Sequence, residues 1–319
     1  MTDLKKTNKP KVETISPTQG ERLARPIKQV VLNLVALKNI SFRAERTDAR
    51  DYTYWPTNFG RYQVLGFLLV LAFAFLVLDP LVVPFIRSLP SEVFSVFTVI
   101  TEFSTAKIYV VPISGIALFL LFCTWQEMGR RLHCNLLQFS VWLTTAIVSF
   151  SVGGVLVNLL KRMIGRGRPK HFDELGAYGF EPFNFTSSFA SFPSGHATTS
   201  GSAMLLAMVF LPKWRILIFA IAILFAASRV ILGSHYVSDV VLGLCIGAVF
   251  ARMVCVYFAK RGLGFYLDHS SIAGIFAVPF RSNLVNERKL IGRSFTATFN
   301  HQLPPSDNLS MNSENQQKD

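Results

Sequence analysis

What most constrains this chain is a succession of long apolar runs. Six spanning segments are read at about 61–79, 107–125, 136–160, 196–211, 214–231 and 236–258, most of them near the length that crosses a hydrocarbon core about 30 Å thick. The first ends at Asp79-Pro80, and the fourth is stopped by Pro212. Between the first two, residues 81–105 are half apolar. Phe85, Ile86, Val93, Phe94, Val96, Phe97 and Ile100 suggest a helix lying along the interface. Composition agrees: 51% of the 319 residues are apolar, 16% are charged and 29 are phenylalanine. A soluble domain does not need so many aromatics with so few charges. The expected fold is all-α, a polytopic membrane bundle of six transmembrane helices.

Three regions follow: 1–60, 61–260 and 261–319. Residues 1–25 are polar, with Lys and Pro, and are expected to be disordered. From Pro26 to Phe42, Ile27, Val30, Val31, Leu34, Val35, Leu37 and Ile40 recur near helical spacing, with Lys28, Lys38 and Arg43 among them. This is a basic amphipathic helix, lying on the membrane surface or packing on the bundle. The tail from 261 starts mixed and ends polar, Gln302 to Asp319 having no apolar period, so its end is expected to be disordered. No secretory signal peptide is visible, because the first strongly apolar run follows a long polar and basic stretch.

The net charge is +13. Its basic residues crowd into the termini and a few loops, without an interleaved aromatic platform, which argues against nucleic acid and for membrane topology and anionic headgroups. The N-terminal region, Arg130 and Arg131, Lys213 and Arg215, and the tail all fall on one side of a six-helix arrangement. That side is expected to be cytoplasmic. The loop holding Lys161, Arg162, Arg166, Arg168 and Lys170 lies on the other side and breaks the rule. Cys123, Cys134, Cys245 and Cys255 form no CxxC pair and read as small buried hydrophobes.

Helix parity gathers the ionisable residues. The third and fifth segments run outward, the fourth and sixth inward. Lys161 at the end of the third, Arg168 beyond it, His196 opening the fourth, Arg229 closing the fifth, and His235 with Asp239 opening the sixth therefore share one non-cytoplasmic face. Ionisable groups at membrane depth are costly and point to function. Lys161, Arg168 and Arg229 repel one another unless an anion neutralises them, and guanidinium forks suit phosphate oxygens. Ser194 and Gly195 at a helix start add backbone N–H groups. His235 and Asp239, four residues apart, make a carboxylate-oriented imidazole whose other nitrogen is free to attack phosphorus. His196, from another helix, is positioned to protonate the leaving oxygen and then activate water. No metal or other cofactor is required, since cations supply the charge neutralisation. Taken singly, each feature has a plainer reading: snorkelling cations, a structural His–Asp hydrogen bond, a helix cap. Their joint placement favours the site.

Lys161-(six residues)-Arg168-Pro169, then Pro193-Ser194-Gly195-His196, then Ser228-Arg229-(five residues)-His235-(three residues)-Asp239 together resemble the three-part signature of the type 2 phosphatidic acid phosphatase superfamily. The resemblance covers 161–239 by motif, and 61–258 by layout. It implies His235 as nucleophile, Asp239 as its orienting acid and His196 as general acid. It implies phosphate binding by Lys161, Arg168, Ser194, Gly195 and Arg229, without a metal. The superfamily's soluble vanadium haloperoxidases fit poorly with spanning helices. The expected activity is hydrolysis of a membrane lipid phosphate or diphosphate at the periplasmic face of a bacterial inner membrane, with both termini cytoplasmic. Lipid A or undecaprenyl diphosphate is favoured as substrate over phosphatidate or phosphatidylglycerol phosphate. The loop His171 to Ser191 brings Phe180, Phe183, Phe185 and Phe189, either to meet acyl chains or to pack on the bundle. The alternatives are a lipid phosphotransferase using the same phosphohistidine, and a non-catalytic lipid-binding or transport protein. The motifs do not fix the oligomeric state.

Overall fold

The computed structural model describes residues 19–45, 61–125, 128–267 and 275–278. Of the stretch 1–25 expected to be disordered, 1–18 lies outside the described residues, as does the end of the tail, whereas 19–25 is helical and runs on through Pro26 into the amphipathic segment. In chain order the helices are α1 (Gln19–Ser41), α2 (Arg61–Phe73), α3 (Asp79–Arg87), α4 (Ser91–Glu102), α5 (Ala106–Phe122), α6 (Arg130–Ile164), α7 (Phe172–Leu175), α8 (Gly195–Phe210), α9 (Arg215–Ile231) and α10 (Val237–Lys260). A π-helical segment, Ala74–Leu78, joins α2 to α3. Two short strands follow α10, β1 (Phe265–Leu267) and β2 (Ile275–Ala277).

Among the described residues, five helical stretches are long and apolar enough to cross a membrane: Arg61–Arg87, Ser91–Phe122, Arg131–Ile164, Pro212–Ile231 and Val237–Lys260. Leu69, Phe73, Val111, Phe119, Leu159, Ile216 and Phe219 on these stretches are exposed, as lipid-facing side chains are. The fourth expected span is α8. At 16 residues it is about 24 Å long, shorter than a hydrocarbon core. It packs against α6, α9 and α10, and most of its first half is buried. The half-apolar stretch 81–105 does not form one helix. It is divided between α3 and α4, with the break at Ser88 to Pro90.

The contact between α8 and α10 is made backbone to backbone. A Cβ on Gly201 would lie 2.1 Å from the Leu244 carbonyl oxygen, and one on Gly247 would lie 2.0 Å from that of Thr198. Small residues let helices in lipid approach this closely. Thr198, Thr199 and Ser200, expected as small packing residues, are buried and donate their hydroxyls to the carbonyls of Ser194, Gly195 and His196.

Two structural facts concern the segments flanking the bundle. First, α1 packs on the bundle along one face. Asn33 is fully buried and donates to the carbonyls of Leu121 and Cys123 at 2.8 and 2.9 Å, capping the end of α5. Ile40 is buried beside it, while Ile27, Val31, Leu34 and Val35 remain exposed. Second, the all-α reading missed β1 and β2, which pair antiparallel with Tyr266 opposite Phe276. Trp142 of α6 donates to the Gly264 carbonyl at 2.7 Å, and Gln138 donates to that of Val278. Strands of three residues are too short to show an alternating pattern in sequence. Of the cysteines, Cys134 and Cys255 are buried, Cys123 and Cys245 half-buried, and all four are free thiols.

Candidate active site

The site forms where α6, α8, α9 and α10 end or begin. α6 stops because Gly165 takes a left-handed conformation, φ 64°, donating its N–H to the Lys161 carbonyl. A side chain there would collide with the Glu181 carbonyl. The chain then pairs briefly with residues 179–181: Gly167 N–H donates to Gly179 O at 2.9 Å and Glu181 N–H to Gly165 O at 2.7 Å. Arg168 N–H donates to Ser188 O at 2.9 Å. These bonds hold the loop carrying Arg166 and Arg168 back over the helix ends.

A compact turn links α9 to α10. The N–H groups of Ser234 and His235 both donate to the Arg229 carbonyl, at 3.1 and 3.2 Å. Arg229 is therefore tied directly to His235. Its guanidinium donates to Thr101 Oγ1 on α4 at 3.0 Å. Thr101 had no signal in the sequence beyond its place in a half-apolar stretch.

His235 does not open α10 as the sequence suggested. Tyr236 is the N-cap and the helix starts at Val237, so His235 and Asp239 are not neighbours on one helical face. Asp239 occupies the third helical position and accepts the Tyr236 N–H on Oδ2 at 2.9 Å. His235 Nδ1 lies 2.8 Å from the Ser191 carbonyl oxygen and 3.6 Å from Asp239 Oδ2. The shorter contact is a hydrogen bond, and the longer is electrostatic. Ser191 also donates its hydroxyl to Asp239 Oδ2 at 2.5 Å. Thus Ser191, the first residue of the SFPSGH stretch, orients both partners. With Nδ1 donating to a carbonyl, Nε2 is the nitrogen that carries the lone pair. Burial pushes the His235 imidazolium down to about 4. Asp239 opposes this, while the Lys161 and Arg168 charges add to the fall.

Ser194 caps α8 rather than offering its own N–H to an anion. That N–H donates to the Asp239 carbonyl at 2.9 Å, and its hydroxyl accepts from Ala197 N–H at 3.4 Å. The N–H groups of Gly195 and His196 are the open ones in this first turn. A Cβ on Gly195 would sit 3.4 Å from Lys161 Nζ, which places that ammonium over the helix start. His196 is half-buried and lies in the field of Arg229, His235, Lys161 and Arg168. Among the described residues no carboxylate forms an ion pair with Lys161, Arg168 or Arg229. The Nε atoms of Arg168 and Arg229 are buried without a protein acceptor. Burial lowers the Arg168 pKa, with Asp239 opposing. The eight predicted residues therefore converge, around donors still lacking an acceptor.

Two residues outside that set complete the environment. Arg166 and Asp79 are wholly buried and joined at 2.8 Å, and Arg166 also meets Asp239 Oδ1 at 2.6 Å. In the loop beyond, the phenylalanines divide. Phe189 stacks on His171 at 5.8 Å, Phe180 is exposed yet lies 6.3 Å from Phe75 on the π-helical segment, and Phe183 and Phe185 are more exposed still. A cavity of about 130 Å³ opens beside His235 and Tyr236, walled by Val82, Val83 and Ile86 with Lys170 and Arg87 among its lining.

Fold and site together define a helical membrane protein with a cationic pocket around a buried, anchored imidazole. Residues 142–263, the stretch that carries all eight predicted site residues, match the PAP2 superfamily. The chain is 46% identical over 36% of its length to a lipid A 1-phosphatase of Rhizobium johnstonii, covering 47% of that protein. It is 36% identical over 35% of its length to a decaprenylphosphoryl-5-phosphoribose phosphatase of Mycobacterium tuberculosis, covering 59% of it. Among solved structures it is similar to a transmembrane PAP2 type phosphatidylglycerolphosphate phosphatase from Bacillus subtilis. That match has 22% identity and a TM-score of 0.41, and covers 60% of this chain and 94% of the other. The chain spans about half the length of the curated lipid A 1-phosphatases it matches.

Proposed function

We propose that this chain is an integral membrane lipid phosphatase that hydrolyses a phosphate ester through a phosphohistidine on His235. The observation that carries this is the pairing of an anchored imidazole, Nδ1 held by Ser191 O at 2.8 Å, with three cations that no described carboxylate pairs. Lys161, Arg168 and Arg229, with the Gly195 and His196 N–H groups, receive the phosphate oxygens. His235 Nε2 attacks phosphorus as His196 gives a proton to the departing lipid oxygen. His196 then takes a proton from water, which attacks the phosphohistidine and frees inorganic phosphate and His235. Asp239, beside Nδ1, offsets the positive charge on the phosphorylated ring.

The 61–260 bundle is the catalytic unit in this reading, with 1–60 and 261–319 on the cytoplasmic side. The site faces the periplasm of a bacterial inner membrane. Two relatives named lipid A 1-phosphatase, 46% and 43% identical, favour a lipid A phosphate over a polyprenyl diphosphate. The test is phosphate release by purified protein, in detergent with chelator, from lipid A, undecaprenyl diphosphate, phosphatidate and phosphatidylglycerol phosphate. Lipid A is expected to be turned over fastest. Release only from phosphatidate contradicts the lipid A preference, and no release from any contradicts the phosphatase reading.

A further inference from the structure

We infer that Arg166 and Asp79 are positioning residues for the His235–Asp239 pair, and that the first membrane helix thereby becomes part of the site. The role rests on the phosphatase reading above. Arg166 is fully buried, yet all five of its guanidinium hydrogens have acceptors. Nη1 donates to Asp239 Oδ1 at 2.6 Å and Ser238 Oγ at 2.8 Å. Nη2 donates to Asp79 Oδ2 and to Ala177 O, both at 2.8 Å, and Nε to Ala177 O at 3.3 Å. The guanidinium carbon lies 4.9 Å from the Phe75 ring centre and 4.2 Å from that of Tyr236. Such a fork has one orientation, and it fixes the carboxylate it meets.

Asp79 locks the other side. Its Oδ1 accepts Ser238 N–H at 3.0 Å and its Oδ2 the Ser238 hydroxyl at 2.5 Å. Asp79 is thus tied to the first turn of α10, the turn that carries Asp239. The backbone is shaped for this. Asp79 N–H bonds the Ala74 carbonyl, five residues back, closing the π-helical segment. Pro80 cannot donate to Leu76 O, and Tyr178 from the outer loop donates its hydroxyl to that carbonyl at 3.0 Å. A π segment turns the following residues relative to a continuous α-helix, and such segments often accompany functional sites.

The chain of contacts ends at the imidazole. Arg166 holds Asp239 Oδ1, which leaves Oδ2 to take the Ser191 hydroxyl and face His235 Nδ1. The Arg166 carbonyl also accepts Ser191 N–H at 3.0 Å, so one residue anchors both groups facing Nδ1. Asp79 lies outside the stretch 142–263 that matches the family.

The test uses the full-length protein in detergent with Arg166→Lys, which keeps the charge and loses the fork, and Asp79→Asn. Arg166→Lys is expected to lower kcat by about 100-fold, the scale of a misplaced catalytic group. The KM and the inhibition by inorganic phosphate, set by Lys161, Arg168 and Arg229, stay within about threefold, as for an interaction felt only in the transition state. Asp79→Asn is expected to lower kcat less, with the same split. Wild-type kcat in folded variants overturns the role, as does a matching rise in KM and loss of phosphate inhibition. So do variants that merely unfold, with kcat per folded molecule unchanged. A wild-type protein that releases no phosphate from any lipid overturns the function itself, and the positioning role with it.

Discussion

The carbonyl of Ser191 accepts from His235 Nδ1 at 2.8 Å, while Asp239, the expected orienting acid, stands at 3.6 Å. Orientation of the imidazole is therefore divided between a backbone carbonyl and a carboxylate. Ser191→Ala keeps the carbonyl and removes only the hydroxyl bonded to Asp239. It is expected to lower kcat about tenfold, the lower end for a hydrogen bond to a charged group. Asp239→Ala also removes one of the two carboxylates that meet Arg166, and about 100-fold or more should be lost, as for a misplaced catalytic group. Steady-state kinetics on both variants measure the division. Equal losses would mean that the Ser191 hydroxyl matters as much as the carboxylate.

The three cations should act on phosphate itself. Alanine at Lys161, Arg168 or Arg229 is expected to reduce kcat/KM by about 100-fold to 1,000-fold, as for other lost oxyanion donors. Inhibition by inorganic phosphate should weaken in parallel. Thr101→Ala, which frees the Arg229 guanidinium from its 3.0 Å partner but removes no cation, should cost less than any of the three.

Acid should act on His235 through stability as well as rate. Its imidazolium lies at about 4 in the folded protein because burial disfavours the charge, against about 6.5 when unfolded. Between these values the unfolded chain binds the proton and the folded one does not. Stability contributed here is present above about 6.5 and is lost as pH falls towards 4. Melting temperatures across pH 4–7 should therefore fall more steeply for wild type than for His235→Gln. Parallel curves would show that His235 is not held neutral.

Packing of α8 on α10 should be intolerant of a single methyl group. Gly247→Ala places a carbon where the Thr198 carbonyl oxygen lies 2.0 Å away. The expected loss is about 1–3 kcal/mol, the scale of overpacking in a close-packed interior. Thermal melts in detergent check this, with Gly154→Ala, whose Cβ meets nothing within 4 Å, as the tolerant control.

Much of the bundle was legible because apolar runs long enough to span lipid leave few other folds. The site was legible for a related reason. Lys161, Arg229, His235 and Asp239 are ionisable groups at the ends of such runs, and helix parity puts those ends on one face. Arg166 was not distinguishable, being one of five basic residues in a single loop with no periodicity to separate it from Arg162 or Lys170. Asp79 read only as the end of a helix, because nothing in AFLVL announces a π segment. Ser191 was hidden for another reason: part of its role belongs to a backbone carbonyl, which every residue possesses.

Turnover by this mechanism requires that His235 become phosphorylated. Purified protein mixed with lipid A carrying a radiolabelled phosphate, then quenched within a turnover at alkaline pH, tests it directly. An alkali-stable, acid-labile label is expected on the peptide containing His235, with His235→Ala giving neither label nor free phosphate. Phosphate release by His235→Ala at the wild-type rate would contradict it.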